Sequence, residues 1–168
     1  MRDLFERREL KMYAIGSDHA GIDLRSEIKA HLEGKGVEVR DFGTFERSGC
    51  NYPDIAEAVG KSVASGECEA GVLICGTGLG MSIAANKVAG VRAACVSEPF
   101  SAKMAKQHNN ANIICFGARV VGSEVAKMIV DEWFGAEFLG GRHQMRVDMI
   151  SEIEKKQLLK AKKASKTK

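Results

Sequence analysis

Short apolar runs alternate along this chain with stretches in which apolar residues recur every three or four positions. The runs have the length of β-strands, and they lie at residues 12–17, 37–42, 70–75, 91–96 and 112–117. The stretches between them have the period of an amphipathic helix, as in the set Ile55, Val59 and Val63. The pattern therefore predicts five strands that alternate with five helices.

Glycine, proline and serine mark the expected helix ends. Gly34 and Gly36 follow the first predicted helix, and Pro53 and Pro99 open the second and the fourth. Ser123 is available to cap the fifth helix. A last helical pattern runs toward the lysine-rich end of the chain through Val147, Ile150, Ile153 and Leu158.

Strands that alternate with helices imply right-handed crossovers and a parallel sheet, so the predicted fold class is α/β. The runs at 70–75 and 112–117 are almost wholly apolar, which is typical of strands covered on both faces. We expect one domain over residues 12–157, an N-terminal extension over 1–11 and a basic, frayed tail over 158–168. The sequence leaves open whether residues 1–11 form a helix, are the remnant of a fusion or are a disordered arm.

The composition supports one globular domain and weakens a nucleic-acid interpretation. The chain has 168 residues, of which 45% are hydrophobic and 28% are charged, with a formal charge of +3. Residues 151–168 hold seven lysines and two glutamates, a net +5, so the rest of the chain carries −2. Because the basic residues cluster at one end rather than on a folded surface, we expect no nucleic-acid partner.

Cysteine usage and the N-terminus favour a cytoplasmic protein. The five cysteines form no CxxC pair, and an odd number would leave a free thiol in an oxidising compartment. The first ten residues are charged and lack an apolar segment, and no apolar run is long enough to span a bilayer. We therefore expect no membrane partner.

The most informative stretch follows the third strand, where Cys75 enters the glycine-rich turn 76–80. Backbone N–H groups in such a turn can point at a negative charge, and a nearby thiol becomes a plausible base or nucleophile. The alternative is a buried strand cysteine beside an ordinary turn, which is the interpretation we give to Cys95 and Cys115. The glycine spacing fits neither a dinucleotide-binding fingerprint nor a P-loop, so nucleotide binding is disfavoured.

Histidines and arginines supply further candidates. Asp18 and His19 follow the first strand, where the alternative is a solvated turn with Asp18 as an N-cap. His108 ends the fourth helix, where it serves equally well as part of a C-cap. Arg142 and Arg146 lie four residues apart, so they can converge on one anion or simply occupy a solvated helix face.

Seven motifs, in order along nearly the whole chain, resemble the type B ribose-5-phosphate isomerases of the RpiB/LacAB sugar-phosphate isomerase family. They are GSDHAG at 16–21, YPD at 52–54, ICGTGLGMSIAANK at 74–87, SEPFSA at 97–102, QHNNAN at 107–112, FGARVVG at 116–122 and GGRHQMRV at 140–147. The resemblance implies a Rossmann-like three-layer α/β/α sandwich with a five-stranded parallel sheet. It also implies a homodimer, possibly a tetramer, that uses no metal or organic cofactor.

The resemblance implies an aldose–ketose isomerase that interconverts ribose 5-phosphate and ribulose 5-phosphate through an enediolate. In it, Cys75 would be the base, assisted by the Thr77 hydroxyl, while His108 would open the sugar ring beside Asp18. The backbone of Gly76, Thr77, Gly78, Leu79 and Gly80 would hold the enediolate oxygens.

The remaining implied roles concern substrate binding. Asn109 would contact a sugar oxygen, and Tyr52 would contact the substrate. His19, Arg119, Arg142 and Arg146 would bind the phosphate. The resemblance further implies that His108, Asn109 and Arg119 reach the site from a partner subunit. Two alternatives stay open: an isomerase of a six-carbon aldose 6-phosphate, such as that of allose or galactose, and a non-catalytic sugar-phosphate-binding module.

Overall fold

A computed structural model describes residues 12–165, with side chains to residue 164. The five strands are β1 (Met12–Ser17), β2 (Glu38–Asp41), β3 (Ala70–Cys75), β4 (Ala93–Cys95) and β5 (Ile113–Gly117). The six helices are α1 (Ile22–Glu33), α2 (Tyr52–Ala64), α3 (Leu79–Ala85), α4 (Pro99–Asn109), α5 (Ser123–Phe134) and α6 (Arg142–Ser165). A 3₁₀ turn, His19–Gly21, joins β1 to α1. The predicted N-terminal extension, 1–11, and residues 166–168 lie outside the described residues.

The five strands form one parallel sheet in the order β2-β1-β3-β5-β4. The α/β fold class and the five-stranded parallel sheet are confirmed. After β2 the chain continues on the other side of β1, so the strand order reverses between β1 and β3. A crevice outside the carboxyl ends of the strands at such a reversal is the usual ligand site of an open α/β sheet.

Helices cover both faces of the sheet and enclose two apolar cores. On one face α1, α4 and α5 pack against the sheet, with Ile28, Phe116 and Trp133 among the fully buried side chains. On the other face α2 and α3 pack against it through residues such as Val59 and Met81. The central strand β3 is buried at all six positions, which explains its unbroken apolar sequence.

The edge strand β4 is shorter than the predicted run at 91–96. The side-chain amide of Asn86 pairs with the backbone of Ala93, accepting from its N–H at 2.9 Å and donating to its carbonyl at 2.8 Å. The amide of Asn112 accepts from the Arg92 N–H at 2.8 Å and donates to the Gly90 carbonyl at 2.9 Å. Side chains therefore take the place of ladder bonds at the start of this strand.

Ser123 does not cap α5, so this expectation is wrong. The helix is preceded by Gly122 in extended conformation, and Ser123 is already its first residue. The Ser123 hydroxyl donates instead to the carboxylate of Glu27 on α1. The contact links two helices on the same face of the sheet.

Helix α6 confirms the last helical pattern, but most of the apolar residues of that pattern lie outside the core. Val147 is buried, whereas Ile150, Ile153 and Leu158 are exposed and line a groove of about 680 Å³ beside the start of β4. Glu154 anchors the helix by accepting from the Gly90 N–H at 3.0 and 3.1 Å. The helix continues through most of the basic segment 158–168. Within residues 12–165, no helix combines the length and the apolar character needed to cross a membrane.

Adjacent residues of α5 offer a test of the core. Ile129 is fully buried, while Met128 is 56% exposed. We expect Ile129→Ala to lower the free energy of unfolding by about 2–5 kcal/mol, because it leaves a cavity under α5. Met128→Ala should change it by about 0.5 kcal/mol or less. Urea unfolding at a fixed protein concentration measures both, and equal losses would contradict the assigned core.

Candidate active site

The carboxyl ends of β1, β3 and β5 meet at the point where the strand order reverses. The Asp18 N–H donates to the Ile74 carbonyl at 3.2 Å, and the Ala118 N–H donates to the Cys75 carbonyl at 2.8 Å. These bonds hold the segments after β1 and β5 against the end of β3. The segments that follow these three strands therefore lie together at one edge of the sheet.

Cys75 is the last residue of β3 and is 6% exposed. Its sulfur accepts a hydrogen bond from the Gly78 N–H at 3.0 Å. The thiol is thus held by the turn that follows it.

Gly78 is required by both its conformation and its surroundings. Its φ of +82° lies in the left-handed region, and a Cβ there would stand 2.8 Å from the backbone of Phe116. Beside it, the Leu79 N–H is directed at the Thr77 hydroxyl oxygen at 3.4 Å. The turn is therefore pressed against β5, which fixes its N–H groups relative to Cys75.

Two other cysteines lie near Cys75 but are poorly suited to act as bases. Burial raises the pKa of Cys115 well above its usual value, and the nearby Cys95 and Cys75 raise it further. Desolvation of its sulfur by neighbouring groups likewise raises the pKa of Cys95, although a hydrogen bond with Ser82 opposes the shift. Cys95 differs from the expected buried residue, because it lies exposed on the edge strand β4.

Asp18 is 8% exposed and caps the 3₁₀ turn, accepting from the Ala20 N–H at 2.9 Å. This agrees with the N-cap alternative and leaves the residue at the mouth of the crevice. His19 follows it on the surface. The Tyr52 ring covers Gly80, where a Cβ would lie 2.8 Å from the ring. Together these residues extend the site on both sides of the Cys75 turn.

Arg119 follows β5 and lies against the same turn. A Cβ on Gly76 would stand 3.4 Å from the Arg119 guanidinium. The backbone N–H of Arg119 donates to the Gly76 carbonyl at 3.0 Å. Within one chain, β5 thus carries Arg119 to the carboxyl edge of the sheet, beside the Cys75 turn. Its implied contribution to the site of a partner subunit stays a prediction.

A second cluster lies at the opposite edge. Helix α4 runs back across the sheet and ends at Asn109, just before β5 begins. His108 and Asn109 are therefore at the amino end of β5, whereas Cys75 pairs with Gly117 at its carboxyl end. A five-residue strand separates its two ends by roughly 13 Å. One chain thus does not bring His108 and Cys75 together.

Arg142 and Arg146, at the start of α6, accompany His108. The Leu139 N–H donates to the Gln107 carbonyl at 3.1 Å, which holds the segment before α6 against the end of α4. Arg92 donates to the carbonyls of Asn109 and Asn110 at 2.8–3.2 Å and so secures the same end. Both α6 arginines are exposed and available to an anion.

Sequence reasoning missed Arg25, which is fully buried beneath the site. Its Nη1 donates to the Ser17 hydroxyl at 2.7 Å, and its Nε lies 3.2 Å from an Asp41 carboxylate oxygen. The guanidinium lies against Gly43, where a Cβ would be 1.7 Å away. Arg25 lies three and seven residues before Ile28 and Leu32, so it falls on the buried stripe of α1. This helical spacing is the feature of the sequence that could have indicated its burial.

The fold and the site together define a doubly wound α/β protein with a thiol in a glycine turn at the switch point and separate basic residues suited to an anionic ligand. Within residues 12–165, no three potential metal-ligating side chains cluster.

Comparison with known proteins identifies the group to which this protein is related. The model of the Ribose/Galactose Isomerase family matches residues 13–150, and the chain belongs to that family. Ribose-5-phosphate isomerase B of Escherichia coli is 54% identical over 147 residues, covering 88% of this chain and 99% of its own.

Solved structures agree with this assignment. Ribose-5-phosphate isomerase B of Clostridium thermocellum has a TM-score of 0.86 and 53% identity, covering 87% of this chain and 99% of its own. The Mycoplasma genitalium enzyme, crystallised with bound ribulose-5-phosphate, has a TM-score of 0.83 and 42% identity, covering 86% and 96%. The fold is therefore matched over nearly the whole length of these relatives.

Two glycines with similar backbone angles allow a test of the Cys75 turn. Gly36 has φ +78° and open space around its Cβ position, whereas Gly78 has φ +82° and the Phe116 backbone beside it. We expect Gly36→Ala to cost about 1–2 kcal/mol from backbone conformation alone. Gly78→Ala should cost clearly more in urea unfolding, because β5 must also move. Equal costs would show that the close approach is unimportant.

Proposed function

We propose that this protein interconverts ribose 5-phosphate and ribulose 5-phosphate, with Cys75 as the base that moves the proton. The observation that carries the proposal is the Cys75 sulfur, held by the Gly78 N–H at 3.0 Å at the switch point of the sheet. The relatives named as ribose-5-phosphate isomerases support the choice of substrate.

The reaction needs a mobile base and a place for developing negative charge. The Cys75 thiolate takes the proton from C2 of the open-chain aldose, and the electrons form an enediolate whose charge rests on the sugar oxygens. The same thiol then returns the proton to C1, while the O2 hydroxyl loses its proton and O1 gains one, so that the C2 carbonyl forms. Preorganised backbone donors around Gly76 to Gly80 stabilise this charge, and losing one such donor typically costs about 2.7–4 kcal/mol.

Other residues position the sugar. In this proposal the Thr77 hydroxyl assists the thiol, and Asp18 faces the sugar ring. Tyr52 and Leu79 border the same crevice, and both are exposed. His19 and Arg119 provide part of the phosphate site beside the turn. Binding a remote phosphate holds the reacting carbon near the base and supplies energy that can be used in the transition state.

We infer that the complete site is shared between two copies of the chain. His108, which would open the sugar ring, lies at the opposite edge of the sheet from Cys75 together with Asn109. Arg142 and Arg146 accompany it. A homodimer that places this cluster of one copy against the Cys75 turn of the other would unite all the proposed groups. The exposed apolar side chains of α6 favour such an association.

The decisive variant is Cys75→Ala. We expect ribose 5-phosphate isomerisation to fall by at least about a hundredfold, because proton transfer by a positioned group typically contributes 10²–10⁴-fold. Cys50→Ala is the matched control and should keep wild-type activity. A coupled assay compares the turnover of ribose 5-phosphate, allose 6-phosphate and galactose 6-phosphate by wild type and both variants. It tests the identity of the base and the substrate class together.

A Cys75→Ala variant with near wild-type kcat would eliminate this thiol as the base. Preference of the wild-type protein for either six-carbon phosphate would replace the pentose assignment. Absence of turnover with all three sugars would favour a non-catalytic binding role.

Subunit mixing tests the shared site. Cys75→Ala and His108→Ala should each be impaired alone, and random reassociation after mild denaturation should restore about a quarter of wild-type activity, since half of the dimers regain one intact site. Each variant reassociated with itself is the control. Activity no greater than the mean of the two variants would indicate a site contained in one chain.

A further inference from the structure

His143 is a buried histidine for which the proposed reaction has no role. It is the second residue of α6 and is 7% exposed, although Arg142 and Arg146 on the same turn are exposed. The backbone N–H of His143 donates to the Gly140 carbonyl at 3.0 Å. In this segment Gly140 and Gly141 have φ of +62° and +54°. These two glycines in left-handed conformation let the chain turn sharply into α6, which begins beside the end of α4 in space.

The His143 ring lies flat against the His108 ring. The ring centroids are 4.3 Å apart, and the planes differ by only 2°. A parallel pair at this distance fixes one ring plane against the other over the whole face. The contact joins the proposed ring-opening histidine to the helix that carries the proposed phosphate arginines.

His108 has no other evident means of orientation. Catalytic histidines are usually oriented by a hydrogen bond to the second ring nitrogen. Among the described residues, neither ring nitrogen of His108 has a hydrogen-bond partner, and the same is true of His143. Within one chain, the flat face of His143 therefore gives His108 a contact that limits rotation of its ring.

The electrostatics suit this arrangement. Desolvation lowers the pKa of His143, and the neighbouring His108, Arg142 and Arg146 lower it further. A neutral His143 avoids the repulsion of two stacked imidazolium rings.

We propose that His143 is a positioning residue that holds the His108 ring by stacking, so that His108 meets the sugar ring oxygen in one orientation. The inference rests on the proposed function. In ring opening, the ring oxygen gains a proton from His108, the C1–O4 bond breaks, and the C1 hydroxyl gives its proton to solvent as the carbonyl forms. His143 transfers no proton in this step.

A partial reaction of the same site separates this role from a general structural one. Ribose 5-phosphate is mainly a closed furanose and must be opened before it isomerises. Ribulose 5-phosphate has its 5-hydroxyl blocked by phosphate, so it stays open-chain, and the base can exchange its C1 proton with solvent without any ring step. A loss confined to ring opening should therefore slow isomerisation and spare the C1 proton exchange.

The experiment compares His143→Leu with His143→Phe in the full-length protein. Leucine fills similar space without a flat face, whereas phenylalanine keeps a stacking ring but no nitrogen. We expect His143→Leu to lower kcat/KM for isomerisation of ribose 5-phosphate about tenfold, part of the 10²–10⁴-fold typical of acid–base groups. Exchange of the C1 proton of ribulose 5-phosphate with D₂O, followed by NMR, should change by less than about twofold. His143→Phe should stay within about threefold of wild type in both measurements.

The control is His31→Leu, a surface histidine paired with Asp131 far from the site, which should keep both activities. Equal losses of isomerisation and of C1 proton exchange for His143→Leu, no loss at all, or a His143→Phe variant as slow as His143→Leu would each overturn the positioning role. Wild-type protein that turns over neither sugar would instead refute the proposed function, so the two failures are distinguishable.

Discussion

The polarity of the parallel sheet is the constraint on which the rest of this molecule depends. All five strands point the same way, so one edge collects every carboxyl end and the other every amino end. The first edge receives the Cys75 turn, Asp18 and Arg119, because each follows a strand. The second receives His108, because it precedes one. Chemistry that needs both groups must therefore bridge two surfaces that a single sheet keeps apart.

Close packing of backbone against backbone gives the Cys75 turn its geometry. The turn lies on β5 at Phe116, and only a residue without a Cβ fits at Gly78. In consequence the sulfur–amide contact is set by strand register, with Cys75 opposite Gly117, rather than by flexible side chains. A thiol held in this way needs little rearrangement when charge develops beside it.

Much of the fold and the Cys75 turn could be predicted because they depend on local pattern: apolar runs, helical periods and a glycine turn after a strand. The strand order depends on contacts between residues far apart in the chain. The features that the sequence did not reveal depend on those contacts. The grouping of Arg119 with Cys75 follows from the position of β5 beside β3. Arg25 was missed because a buried guanidinium needs partners, Ser17 and Asp41, that only the folded chain assembles. Ser123 does not cap α5 because Gly122 occupies the N-cap position and Ser123 is already the first residue of the helix.

The amide pairing of Asn86 with Ala93 also limits the ways in which copies of this chain can associate through the sheet edge. An edge strand normally offers free N–H and C=O groups on which a further strand can add without limit. Here a side chain already occupies those groups at the start of β4, and α6 lies alongside. Growth of the sheet from chain to chain is thereby blocked at this point, so contacts there must be made by side chains of defined shape, which favours closed assemblies over fibres.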